Sequence, residues 1–213
     1  HDVTLAHEMK ADLERSQRLA AMGEMAASLA HQLRTPLAAA LLYAANLGQA
    51  NLSDEARHRF SDKATAQLRR LERLIQDVLL FARGESIGHD RIVVSDLLAE
   101  LAQTVEPLMR EHNLHFELED ASAGAVLVGA RKALYGALVS LLENALQVTP
   151  ASGKICLLAA RQGDLLRIAV RDSGPGINPD LQERIFEPFF TTRSQGTGLG
   201  LPIALGVARA HGG

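Results

Sequence analysis

From Leu19 the apolar positions run Leu19, Met22, Ala26, Leu29, Leu33, Pro36 and Ala40. Steps of three and four residues alternate strictly, which marks a heptad seam on one face of a helix. Upstream, Leu5, Met9 and Leu13 follow another phase, so the seam slips near Arg15–Arg18. The string Gly48-Gln49-Ala50-Asn51-Leu52 breaks the pattern. Ser53 then predicts an N-cap, and Asp54 and Glu55 suit the positive start of a second helix. Its seam, Phe60, Ala64, Gln67, Leu71, Leu74, Val78 and Phe81, alternates in the same way. Two long helices with a short connection predict an antiparallel hairpin. One hairpin covers only part of each stripe, so a homodimer closing a four-helix bundle is the economical reading.

From Gly84 the period changes. Residues 84–91 read as a polar linker, Ile92-Val93-Val94 as a short strand, and Ser95 as the cap of a helix from Asp96 to about Glu111. Alternation over Leu114–Leu118 predicts a strand, and Ala125–Val128 is a further short apolar run. A helix is expected from Arg131 to about Val148. Two strands follow, Lys154–Arg161 and Leu165–Asp172, turned at Gln162-Gly163-Asp164. Ser173–Gly200 is rich in Gly, Pro and Thr, a long loop of the kind usually kept for function. A last helix runs from about Leu199 to Arg209. The expected fold is α+β overall, an all-α hairpin over residues 1–86 followed by an α/β domain over residues 87–213.

Composition narrows the classes. The chain has 213 residues, 47% hydrophobic, with a formal net charge of -3. That is ample material for a core and no electrostatic magnet for nucleic acid or anionic lipid. Aromatic residues make up 4% and Trp is absent, which disfavours base-stacking platforms. One cysteine, Cys156, excludes an internal disulfide and a Cys-rich metal site, and fits a reducing compartment. The longest candidate membrane stretch, Leu37–Ala45, falls well short of the roughly 20 residues a bilayer demands. No signal-peptide layout opens the chain. The expectation is a cytoplasmic chain that contacts neither nucleic acid nor membrane.

Two groups of residues carry candidate chemistry. With Ala26 and Leu33 at heptad position a and Leu29 at d, His31 falls at f, the outermost point of the bundle. Thr35 lies one turn on, and Pro36 removes a backbone hydrogen bond at a cost of about 3 kcal/mol in an ordinary helix interior. An exposed imidazole beside a loosened turn suits a nucleophile that meets two partners. A surface histidine on a Pro-interrupted helix explains the same residues equally well. The second group is Asp172-Ser173-Gly174-Pro175-Gly176-Ile177 after a strand and Gly196-Thr197-Gly198-Leu199-Gly200-Leu201 at a helix start. Glycines admit a polyphosphate close to the backbone, and a helix N-terminus offers free N–H groups to it. Between them lies Phe186-Glu187-Pro188-Phe189-Phe190-Thr191-Thr192-Arg193, and upstream Asn144 on a helix offers an oxygen to Mg²⁺.

In this order the motifs resemble the catalytic core of a bacterial two-component sensor histidine kinase, across nearly the whole chain. His31–Leu37 matches the family's H box, Leu141–Ala145 the N box, and Asp172–Gly176 the first glycine box. Phe186–Thr192 matches the F box and Gly196–Leu201 the second glycine box. Asn144-Ala145-Leu146-Gln147 is similar to the nitrogen-regulator branch, whose kinases often pair with activators of sigma-54 promoters; a flagellar-regulating kinase is one candidate within it. The resemblance implies an α/β-sandwich ATP-binding domain of the GHKL type. It implies that His31 takes the γ-phosphoryl group of ATP and passes it to an Asp of a response regulator. Asn144 would ligate Mg²⁺, and Asp172 would accept from the adenine amino group in a pocket shaped by Gly174 and Gly176. Gly196, Gly198 and Gly200 would supply backbone contacts to the phosphates at a lid of about Ser173–Thr197. Thr192, Thr197 and Leu199 would belong to the same nucleotide-binding set, and Arg193 would neutralise the γ-phosphate. Thr35 matches the position thought to orient water during dephosphorylation of the regulator.

The departures are as informative. Gln32 stands where the family usually has an acid next to the histidine, and general-base help is worth roughly 10²–10⁴-fold. Ser140 stands where an Asn often begins the N box, and Ala130 where an Asp often precedes its helix; both thin the polar network around nucleotide and metal. The chain stops at Gly212-Gly213, before the family's closing strands, and His1 fits a tag remnant. Two rivals follow: a dimeric signalling scaffold or phosphatase with weak kinase activity, for which Gln32 speaks, and an ATPase of the related chaperone or topoisomerase kind, against which His31 speaks.

Overall fold

The computed structural model of the chain describes residue 23 and residues 26–83, 88–193 and 196–213. The phase slip near Arg15–Arg18, the seam positions Leu19 and Met22, and linker residues 84–87 lie outside the described residues. Contacts divide the chain into two compact units, one of residues 1–84 with 191–199, the other of residues 85–190 with 200–213.

The first unit is the expected hairpin, α1 (Ala26–Leu47) and α2 (Asp54–Arg83). The Ser53 hydroxyl accepts from the Ala56 N–H at 3.2 Å, so the cap read from the sequence is formed. Asp54 and Glu55 occupy the first turn of α2, where the helix dipole favours them. Pro36, Ala40 and Leu74 are buried, three seam positions that the 3.5-residue period places on one face. Tyr43 stacks on Phe60 with ring centroids 6.3 Å apart, tying the two helices together near their connection. No helix among the described residues is long and apolar enough to cross a membrane.

The second unit comprises β1 (Asp90–Val93), α3 (Val94–Glu111), β2 (His115–Ala121), β3 (Val126–Gly129), α4 (Arg131–Val148), β4 (Lys154–Gln162), β5 (Leu165–Asp172) and α5 (Gly200–Ala210). Single 3₁₀ turns at Pro179–Leu181 and Arg184–Phe186 interrupt the long loop. β1 pairs antiparallel with β3, while β4 lies between β2, parallel to it, and β5, antiparallel. Leu97, Leu98, Leu101, Val105 and Met109 of α3 form one buried stripe at helical spacing. It packs in one core with Leu138, Leu142 and Ala145 of α4 and the alternate residues Ile155, Leu157 and Ala159 of β4. Two strands run beyond their sequence reading because pairing carries them on: β1 takes in Asp90 and Arg91 of the expected linker opposite Gly129 and Val128, and β2 reaches Ala121 along β4. One helix start departs as well. α3 already starts at Val94, after Val93 in extended conformation, so Ser95 sits inside the first turn and does not cap it. Burial of Val94 in the core decides that start, outweighing the local preference of a serine.

On the other face of this sheet Cys156 is directly opposite Glu117 and is nonetheless buried. Lys154 reaches across to Glu117 at 2.6 Å. Burial first, and the nearby Glu119 carboxylate second, push the Cys156 thiol above its ordinary pKa.

Candidate functional site

In the second unit the site grows from α4. Asn144 lies half-buried in its C-terminal half. Gly200, the first residue of α5, approaches so closely that a Cβ there would overlap Ser140 Oγ and lie 3.3 Å from Asn144 Nδ2. The absent side chain lets the start of α5 seat directly on α4 beside Asn144. The first N–H groups of α5 have no acceptor within the helix and stand at its positive end, a setting that favours anionic oxygens. Thus Ser140, absent from the usual N-box pattern, has a steric part: it is the surface on which Gly200 rests.

Asp172 closes β5 with an exposed carboxylate, whose Oδ1 accepts from the Gly174 N–H at 2.8 Å. A Cβ on Gly174 would lie 2.8 Å from that oxygen and 3.1 Å from the Val148 carbonyl at the end of α4. Gly176 follows with φ of 75°, a left-handed turn that glycine adopts freely. Asp172, Gly174, Asn144 and Gly200 therefore gather around the C-terminal half of α4. The Arg184 guanidinium stands 4.2 Å over the Phe190 ring, and Phe189 has φ of 65°, rare for a bulky residue.

The remaining loop residues group with the first unit. Thr191 Oγ1 accepts from the Arg193 N–H at 3.1 Å, and a Cβ on Gly196 would overlap that hydroxyl. Thr192 is exposed and Arg193 half-buried. Thr197 donates to Asp77 Oδ2 of α2 at 3.0 Å and accepts from the Leu199 N–H at 3.3 Å. Gly198 has φ of 68°, and Leu199 is fully buried.

On α1, His31 and Thr35 are both exposed, and the Thr35 hydroxyl donates to the His31 carbonyl at 3.1 Å. The helix continues through Pro36, which has no N–H to offer the carbonyl of Gln32. Gln32 Oε1 is buried and has no hydrogen-bond partner among the described residues.

Sequence reasoning missed the residues that complete the start of α4. Ala130 stands at the N-cap with no side chain to accept from the first turn, and two backbone donors at this end find acceptors from distant segments. The Arg131 N–H donates to Asp90 Oδ2 at 3.2 Å, and the Ala130 N–H to His211 Nε2 at 3.0 Å. Arg131 also pairs with Glu100 of α3. No local spacing announces these partners; Asp90 and His211 are brought in by tertiary folding.

Known proteins carry the same two parts. Residues 129–213 match the family model of the histidine kinase-, DNA gyrase B- and HSP90-like ATPases. Residues 21–87 match the His Kinase A (phospho-acceptor) domain. Sensor protein kinase FleS of Pseudomonas aeruginosa is 39% identical over 100% of this chain and 52% of its own length. This chain therefore spans about half of that relative. The catalytic domain of histidine kinase ThkA is 31% identical over 59% of this chain and 82% of that one, with a TM-score of 0.54. The crystal structure of ThkA in complex with response regulator protein TrrA aligns over 90% of this chain and 57% of that one, at 27% identity and a TM-score of 0.75. The chain belongs to the histidine kinases, with the phosphoacceptor and ATPase domains that make up the catalytic core of a two-component sensor kinase.

Proposed function

We propose that this chain moves the γ-phosphoryl group of ATP to His31 and from there to an aspartate of a response regulator. The observation that carries the proposal is the gathering of Asn144, Gly200 and the Asp172–Gly174 turn around one end of α4, in a chain whose hairpin exposes a histidine. Residues 1–86 would accept the phosphoryl group and residues 87–213 bind the nucleotide. Asp172 has a second carboxylate oxygen for the adenine amino group, and Gly174 and Gly176 keep that pocket free of side chains. Backbone N–H groups over Gly196–Gly200 hold the phosphates, with Thr192, Thr197 and Leu199 in the same segment and the Arg193 cation for the γ-phosphate.

Asn144 carries an amide whose oxygen is of the ligand type Mg²⁺ takes, and beside the start of α5 it would be the protein ligand of an ion held with the phosphates. Bound there, the ion supplies neutralisation of phosphate charge. A lone pair on a His31 ring nitrogen attacks the γ-phosphorus. The N–P bond forms as the bond to the bridging oxygen breaks, ADP departs, and the other ring nitrogen gives its proton to solvent water, to which the exposed His31 is open. The regulator's aspartate then takes the phosphoryl group from nitrogen, and Thr35 orients water when the regulator is dephosphorylated.

Leu37, Leu41, Leu42, Leu68 and Ile75 stand exposed on α1 and α2, which supports a second hairpin and hence a homodimer. A core that consumes ATP works on the cytoplasmic side. Asn144-Ala145-Leu146-Gln147 supports the nitrogen-regulator-like branch, with a sigma-54-dependent activator as regulator and a flagellar-regulating kinase as the candidate within it. Gln32, which carries no charge, favours one second reading, a dimeric scaffold or phosphatase with weak kinase activity.

Incubation with labelled ATP and Mg²⁺ tests the proposal. The expected product is an acid-labile, alkali-stable phosphate mapping to His31. ATP binding without any such label supports the scaffold reading, and label on another residue overturns the assignment of His31.

A further inference from the structure

The hydrogen bonds of His211 fix its protonation state. Its Nδ1 lies 2.7 Å from the Val207 carbonyl oxygen, which can only accept, so Nδ1 must carry a proton. Its Nε2 lies 3.0 Å from the Ala130 backbone nitrogen, whose N–H can only donate, so Nε2 must present a lone pair. Only the neutral ring protonated at Nδ1 satisfies both. The ring also fills the place a side chain would need at residue 129: a Cβ on Gly129 would overlap it.

This contact lies at the opposite end of α5 from Gly200. Gly200 rests on Ser140 beside Asn144, while His211, immediately after α5, reaches the residues that precede α4. The two helices are therefore antiparallel and held at both ends, over about 16 Å for eleven residues of helix. We infer that His211 is a positioning residue: through Ala130 and the slot at Gly129 it fixes how far α5 slides along α4. That sets the place of the α5 N-terminus relative to Asn144. The inference rests on the proposed reading of that end of α4 as the site of the nucleotide's phosphates.

Two measurements test it. The first is the ¹⁵N spectrum of the histidine rings in nucleotide-free protein, with the His211 signal assigned by its loss in His211→Gln. Protonation at Nδ1 and a bare Nε2 are expected, and a proton on Nε2 overturns the latch. The second is binding of Mg²⁺-ATP and of adenosine to wild type and variants. His211→Phe keeps a ring but no acceptor, and should weaken ATP about three- to tenfold, the worth of one neutral hydrogen bond, while adenosine binding holds. His211→Gln, whose amide oxygen can accept from Ala130, should recover most of that loss. Unchanged ATP affinity in His211→Phe, or equal loss of ATP and adenosine, overturns the positioning role. Wild-type protein that binds no ATP overturns the nucleotide reading instead, and the ring spectrum then reports on the latch alone.

Discussion

Asn144→Ala should lower Mg²⁺-dependent phosphoryl transfer to His31 by about 10²–10³-fold, the range for removing one preorganised electrostatic group from a reacting centre. The amide sits on a helix turn held from several sides. Gly200 packs against it, Ser140 supports Gly200 one turn earlier on the same face, and Leu142 and Ala145 next to it are buried in the core. A side chain on so rigid an element loses little entropy when it engages a ligand, so its truncation removes an interaction rather than a mobile group. α4 should stay folded, because alanine is the best helix former. Adenosine binding, which the proposal assigns to Asp172, should be nearly unchanged. Single-turnover measurements with labelled ATP over a Mg²⁺ titration separate the effects. A rate within twofold of wild type at all Mg²⁺ concentrations removes Asn144 from the site.

The second large effect concerns Gln32. Gln32→Glu should raise phosphorylation of His31, by up to roughly 10²-fold where general-base assistance limits the rate. During attack the ring develops positive charge, and a neighbouring carboxylate stabilises it and takes up the proton. An amide does neither. The gain has an opposing contribution, because Gln32 Oε1 is buried without a hydrogen-bond partner among the described residues. A carboxylate left there would be desolvated and would hold its proton, which weakens it as an anion. The full gain requires a rotamer that turns the carboxylate toward the exposed face of His31. Movement of domains limits many kinases, and then the increase shrinks toward unity. A clear decrease, with dimer and ATP binding intact, would falsify the view of Gln32 as a weakened base position and assign its amide a direct part in orienting His31.

Elements with a strong period were legible in the sequence, and contacts between distant segments were not. α4 at Arg131–Val148 and β5 at Leu165–Asp172 coincide with their sequence reading, since each is a periodic run bounded by turn residues. The start of α3 was misplaced because burial of Val94, not the chemistry of Ser95, decides it. The run Ala125–Val128 gave no sign that it pairs with β1 rather than with the longer strands. Asn144, Asp172 and the glycines stand out as candidates because their motifs are local strings. Gly129 and His211 do not, because each is an ordinary residue in its own string and meaningful only beside the other, 82 positions away. Ala130 looked like a loss in the sequence. Folded, its N–H has an acceptor from the far end of α5.

The covering of Cys156 has a practical consequence for spectroscopy. It is the chain's one cysteine, buried opposite Glu117 with its thiol held in the protonated form that electrophiles attack slowly. A maleimide or methanethiosulfonate probe at neutral pH should therefore pass it by in the folded protein. A second cysteine placed on an exposed turn of α2, such as Arg69→Cys, becomes the selective attachment point without first removing the native one. Spin labels attached there would report the distance between two hairpins in solution, on protein whose sheet is untouched.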